Sequence, residues 1–281
     1  MIRNKTMFAS LMLILTTLLW GLSYSIQSIS ASELGTFTIV LFKGVGGLLL
    51  LPLLMFHRKK ISRQDLIGGV SMGLFLFLGY VFQQLGIEHT SVSKVSFITA
   101  LYIISVPLIE MFMGQKISGK IWISVLIAIC GLYFLCVNGS SVINSGDLYA
   151  LIGSLMFAVQ IILIDRFSKV CDPLTLTFVS QMTVSVLSLF VVLLRENIDL
   201  SVITRASAGI FFIIFIGGLL AECMQIRFQR DLDSSLSSLL MSFESVFGSL
   251  FGWILLHQVM SPKEIFGCIL VFVAILLAES E

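Results

Sequence analysis

Apolar residues run along this chain in ten blocks, at 8–30, 34–56, 65–87, 91–113, 118–137, 147–168, 173–194, 207–228, 234–256 and 262–279. Each approaches or exceeds the roughly 20 apolar residues that a helix needs to cross a bilayer. The pattern predicts ten transmembrane helices. Polar residues interrupt the blocks at 65–87, 173–194 and 207–228. Breaks of three residues, as at 31–33 and 88–90, force antiparallel neighbours. The longest stretch outside the blocks is 195–206, with Arg195, Glu196, Asn197 and Asp199. The first block follows Arg3 and Lys5, as a signal peptide would, but it is too long and lacks a small-residue cleavage site. It is predicted to be a retained first helix.

Composition agrees. Hydrophobic residues make up 57% of the 281 residues and charged ones 12%, against about 25% charged in a soluble domain. One soluble core of this length could not hide so much apolar surface. Lipid is therefore the expected solvent and the bilayer an expected partner. A net charge of +1 argues against nucleic acid. Five cysteines, Cys130, Cys136, Cys171, Cys223 and Cys268, form no CxxC pair and read as buried hydrophobes. His57, His89 and His257 lack metal-ligand spacing. No HExxH, GxSxG, Walker A or GxGxxG motif occurs. No enzyme, metal, cofactor or ATP-driven pump is predicted. An intramembrane enzyme, the alternative from another class, would need a catalytic dyad at membrane depth, and none is visible.

Lysine and arginine in the loops set orientation. With the N-terminus inside, Arg3, Lys5, Arg58, Lys59, Lys60, Arg63, Lys116, Lys120, Arg166, Lys169, Arg227 and Arg230 fall on the inner side, and only Arg195, Arg205 and Lys263 on the outer. Both termini are predicted to be cytoplasmic in a multi-pass protein of the cell (plasma) membrane, an inner membrane where there are two. The chain also looks duplicated. Leu-Thr-Thr-Leu-Leu-Trp-Gly-Leu at 15–22 parallels Ile-Gly-Ser-Leu-Met-Phe-Ala-Val at 152–159, and Gly-Gln-Lys-Ile-Ser at 114–118 parallels His-Gln-Val-Met-Ser at 257–261. Five helices per half is odd, so the halves enter the membrane from opposite sides. The predicted fold class is all-α, two inverted five-helix repeats at 1–140 and 141–281. Such repeats suit a solute site that faces either side by rocking.

Particular residues resemble a known family. Trp20-Gly21, Gly86-Ile-Glu-His-Thr-Ser91 leading to Val106-Pro107, and Ser242-Phe-Glu-Ser-Val-Phe247 before Gly252-Trp-Ile-Leu-Leu-His-Gln258 are similar to the EamA family of the drug/metabolite transporter superfamily. The resemblance covers essentially the whole chain. It implies two inverted five-helix repeats and export of amino acids or related metabolites, a small-molecule substrate carried by secondary transport. An importer or facilitator of another solute is the runner-up. The chain departs from the family pattern at Glu244-Ser245, where Glu-Pro is common, and at Gln115 and Gln258, where an acid is common.

Charges inside spans are costly and tend to be functional. Lys43 and Glu244 fall near mid-membrane in helices 2 and 9. They read either as a cavity pair that binds a zwitterion or takes a proton, or as a structural ion pair between the halves. Proton coupling would run through Glu244. Lys94 lies near the outer end of helix 4, while Glu110 and Glu222 fall toward the inner ends of helices 4 and 8. Polar and aromatic residues at mid-depth complete the candidate substrate site: Trp20, Ser23, Tyr24, Gln83, Thr99, Tyr102, Gln160 and Gln181. Trp20, Ser23 and Tyr24 share one helix face. An unpaired amide in lipid is costly, so the glutamines face protein or a water-filled cavity. The GxxxG spacings Gly69/Gly73 and Gly248/Gly252 predict close helix crossings.

Overall fold

A computed structural model describes residues 2–31, 33–56, 60–136, 144–196, 201, 207–256 and 261–279. Expectations resting on His57, Arg58, Lys59, Asn197, Asp199, Arg205, His257 and Gln258, and on the 257–260 part of the second internal match, lie outside these residues.

Every regular element among the described residues is helical: α1 (Ile2–Ser30), α2 (Thr36–Val45), α3 (Leu50–Phe56), α4 (Arg63–His89), α5 (Val92–Thr99), α6 (Tyr102–Phe112), α7 (Gly119–Cys136), α8 (Ser145–Ser168), α9 (Pro173–Arg195), α10 (Ser207–Phe212), α11 (Ala221–Gln229), α12 (Ser234–Met241), α13 (Phe243–Leu256) and α14 (Pro262–Glu279). Taken as continuous segments, eight of these are long and apolar enough to cross a bilayer. The other two, Gly119–Phe134 and Ile265–Ala278, are apolar but shorter.

Local chemistry starts the helices where the sequence does. Ser62 and Asp65 form a capping box at α4, and Asn144 and Asp147 form one at α8. Asp172 accepts from the Thr175 N–H at 3.0 Å, with Pro173 opening α9. Asp233 accepts from the Leu236 N–H at 2.7 Å at the start of α12. Such caps satisfy first-turn donors that have no partner within the helix. At α2 the cap comes from far along the chain. The Glu196 carboxylate, just past α9, accepts from the N–H groups of Phe37 (2.8 Å) and Thr38 (2.9 Å) and from the Thr38 hydroxyl (2.7 Å). Thr36 Oγ1 also donates to Glu88 at the end of α4.

Four segments are interrupted. A 3₁₀ turn, Gly46–Leu49, separates α2 from α3, and a π-helical stretch, Ile213–Leu220, separates α10 from α11. Turns at 100–101 and at Ser242 split α5 from α6 and α12 from α13. The first two interruptions face each other. A Cβ at Gly218 would collide with the Lys43 carbonyl oxygen, so only glycine lets these backbones meet. Gly69 and Gly73 make the predicted close crossing: Cβ atoms there would lie 2.5 Å from Val179 Cβ and 2.6 Å from the Ser180 oxygen, both on α9. At Gly248 a Cβ would meet nothing nearer than Ser96 at 3.6 Å, yet its backbone N would lie 2.8 Å from a Cβ on Gly21, so α1 and α13 do cross closely there. The tight approach on that pair of helices is at Gly21, against Phe247.

The packing runs mainly between halves. α4 lies against α8 and α9, α1 against α11 and α13, α2 against α9, and α7 against α14. The largest apolar cluster draws on both, including Leu13, Ile103, Leu132, Ile161, Leu239 and Ile275. Large apolar side chains such as Leu11, Phe112, Leu126, Phe190 and Phe272 remain exposed on the outside. In water that surface would cost about 25 cal/mol per Å² relative to burial; facing lipid it costs nothing comparable.

Candidate functional site

The site is a small cavity in the middle of the bundle, about 40 Å³ in volume. Helical spacing builds its walls. Trp20, Tyr24 and Gln27 stand at i, i+4 and i+7 on α1, and Leu76, Tyr80 and Gln83 repeat that spacing on α4; all six line the space. Phe157, Gln160 and Ile161 come from α8, Lys43 from α2 and Gln225 from α11. Thr99, Tyr102, Met241 and Glu244 come from beside the two turns that split their segments. Broken helices at a cavity expose backbone only where protein or water can satisfy it.

Of the eleven residues predicted for the site, Trp20, Tyr24, Lys43, Gln83, Thr99, Tyr102, Gln160 and Glu244 line this cavity. Three stand elsewhere. The Ser23 hydroxyl, behind the α1 wall, accepts from Gln27 Nε2 at 2.9 Å. Gln181 donates from Nε2 to the Gly218 carbonyl at 3.3 Å, tying α9 to the π-helical stretch. Lys94 pairs with Asp147 at 3.2 Å, joining the first turns of α5 and α8.

Polar contacts knit the wall. Gln83 Nε2 donates to the Tyr24 hydroxyl at 2.8 Å, and the Tyr102 hydroxyl donates to Glu244 at 2.9 Å. Lys43 and Glu244 share the cavity but form no ion pair; Lys43 Nζ instead sits 3.8 Å from the centroid of the Tyr80 ring. The Tyr80 hydroxyl reaches Glu222 at 3.4 Å, and Gln160 Nε2 donates to the same carboxylate at 3.1 Å. Glu222, predicted toward a helix end, is fully buried behind the wall. A chain of amides continues from Gln160 to Gln225 and Gln229, which donates to the Ile161 carbonyl at 2.7 Å.

Tyr80, Gln27, Gln225 and Glu222 were not among the predicted site residues. The i, i+4, i+7 spacing from Trp20 and Tyr24, and back from Gln83, carried the signal for Gln27 and Tyr80. Glu222, Glu244 and Lys43, each no more than 5% exposed, therefore stand on or just behind the cavity wall. In a low-dielectric interior such charges act strongly on one another and on any charged solute. Among the described residues no three His, Cys, Asp or Glu side chains converge as metal ligands.

The chain is similar to other proteins over nearly its whole length. A protein of Archaeoglobus fulgidus, described only as an uncharacterized transporter, is 28% identical over 280 residues, covering 98% of this chain and 87% of its own. A crystal structure of a protein of unstated function has a TM-score of 0.77 over 96% of both chains at 16% identity, a likeness of fold alone. The profile of the EamA-like transporter family matches residues 7–137 and 144–279. The apolar helices, the polar cavity between them and this match make one statement: the chain is a multi-pass membrane transporter and belongs to the EamA-like transporter family.

Proposed function

We propose that the protein is a secondary transporter that exports amino acids or related small metabolites by alternating access, built as two inverted five-helix repeats (1–140 and 141–281) spanning the plasma membrane ten times with both termini cytoplasmic. The observation that carries this reading is the central cavity, walled by polar and aromatic side chains of both halves. The consecutive family matches support the repeat. So does the packing: numbering the segments one to ten and exchanging each with the one five places away turns the contacts of the third with the sixth and seventh into those of the eighth with the first and second, pairs that also touch. The loop charges support the orientation. Glu244 is the proposed proton-coupled group and, with Trp20, Tyr24, Lys43, Gln83, Thr99, Tyr102 and Gln160, forms the proposed substrate site. Membership of a transporter family favours this function over intramembrane catalysis.

The test is flux in proteoliposomes loaded with a mixed metabolite pool, with release followed by mass spectrometry at several pH gradients. Gradient-driven loss of amino acids is the expected result. No movement of any solute, from either face, overturns the reading.

A further inference from the structure

The transporter reading leaves open which chemical group of the solute the cavity holds. Its charged residues are not equally committed. Glu222 accepts from Tyr80 and Gln160, and Glu244 accepts from Tyr102. Lys43 is 3% exposed, yet no described residue accepts a hydrogen bond from its ammonium; its contact is the face of the Tyr80 ring. The indole N–H of Trp20, on the same cavity, is likewise buried and without a partner among the described residues. Lysine and tryptophan side chains are donors only. Lys43 Nζ and Trp20 Nε1 are thus donors on this wall that lack an acceptor among the described residues.

A buried charge is normally paired and hydrogen-bonded. An aromatic face attracts an ammonium but accepts none of its N–H groups in line, so Tyr80 meets the need only in part. An anionic oxygen group, with four lone-pair sites on a carboxylate, would complete it. Glu222 and Glu244 each already hold at least one neutral donor, whereas Lys43 Nζ holds no acceptor among the described residues.

We infer that Lys43 anchors a carboxylate of the transported solute, and that this carboxylate, rather than an ammonium, is the group by which the cavity selects its cargo. The inference rests on the transporter reading of the same cavity. The substrate class is small organic acids, with amino acids included through their carboxylate and the aromatic wall taking the apolar body.

The experiment measures binding to the purified full-length protein in detergent by calorimetry. The probes are monocarboxylates from propanoate to 3-phenylpropanoate, the matched amines ending at 2-phenylethylamine, and phenylalanine. The expected result is that at least one carboxylate binds at least tenfold tighter than its matched amine. Lys43→Gln should weaken that binding at least tenfold, and Lys43→Arg should retain most of it. The comparison of acid with amine uses the wild-type protein, so it stands even if a variant fails to fold. Equal or tighter binding of the amines, no binding of any carboxylate, or unchanged carboxylate affinity in a folded Lys43→Gln overturns the inference. Flux in proteoliposomes separates the two readings: transport without carboxylate preference sinks this inference alone, and carboxylate binding without any transport sinks the transporter mechanism alone.

Discussion

Tyr102 donates its hydroxyl to Glu244 across the cavity, and the two residues are 142 positions apart, the same separation as the other tyrosine–glutamate pair, Tyr80 and Glu222. The N-cap residues of α5 and α12, Ser91 and Asp233, stand at that separation too. Under the proposed duplication, each tyrosine holds in the first half the place that its glutamate holds in the second. A hydrogen bond between equivalent positions of two repeats lies on the axis that relates them. The cavity would thus be centred on that axis, and in both tyrosine–glutamate pairs the donor comes from the first repeat and the acceptor from the second.

That relationship predicts the behaviour of an exchange. Tyr102→Phe should cost roughly 1–3 kcal/mol by leaving a buried carboxylate without its donor. Tyr102→Glu and Glu244→Tyr should each be worse, because one sets two carboxylates together and the other two phenols. The double exchange restores one donor and one acceptor and should recover most of the loss. Melting in detergent measures it; a double variant no more stable than additivity of the singles gives would remove the claim of equivalence.

Glu244→Gln keeps the shape of the side chain and its acceptor for Tyr102, and removes the charge. If Glu244 couples transport to protons, solute flux in the variant should lose its dependence on pH while binding partly survives. The check is initial rate against pH in proteoliposomes, wild type beside variant. Unchanged pH dependence would assign coupling elsewhere, Glu222 being the next buried carboxylate.

Gly218→Ala should destabilise by about 1–3 kcal/mol, the usual cost of forcing atoms into a filled space, because its Cβ would run into the Lys43 carbonyl. Gly119→Ala is the control, since a Cβ there meets nothing within 4 Å. If the two variants melt together, the close crossing of α2 with the π-helical stretch is not a constraint.

Glu196→Ala should cost about 1 kcal/mol or somewhat more, as loss of a helix cap does, by freeing the N–H groups of Phe37 and Thr38. Glu196→Gln retains one acceptor and should fall between. Hydrogen exchange at the start of α2 is the readout, and equal protection in all three proteins would show that the cap contributes nothing.

The sequence by itself determined where the helices lie. The ten apolar blocks match the helical segments to within a few residues at most ends, because length in hydrocarbon and the caps at Ser62, Asn144, Asp172 and Asp233 are local properties. It also singled out Lys43 and Glu244, since any charge inside an apolar run stands out. Only the tertiary structure decided which side of each helix turns inward. A helix that is apolar all round has no face that declares itself, so Tyr80 and Gln225 went unseen while Ser23, Gln181 and Lys94 took partners outside the cavity. The interruptions at 46–49, 100–101, 213–220 and 242 were equally silent. They sit where segments far apart along the chain meet, as the 3₁₀ turn and the π-helical stretch do, or where a segment turns beside the cavity. The same holds for Glu222: its depth came from its neighbours Tyr80 and Gln160, not from its count along the helix.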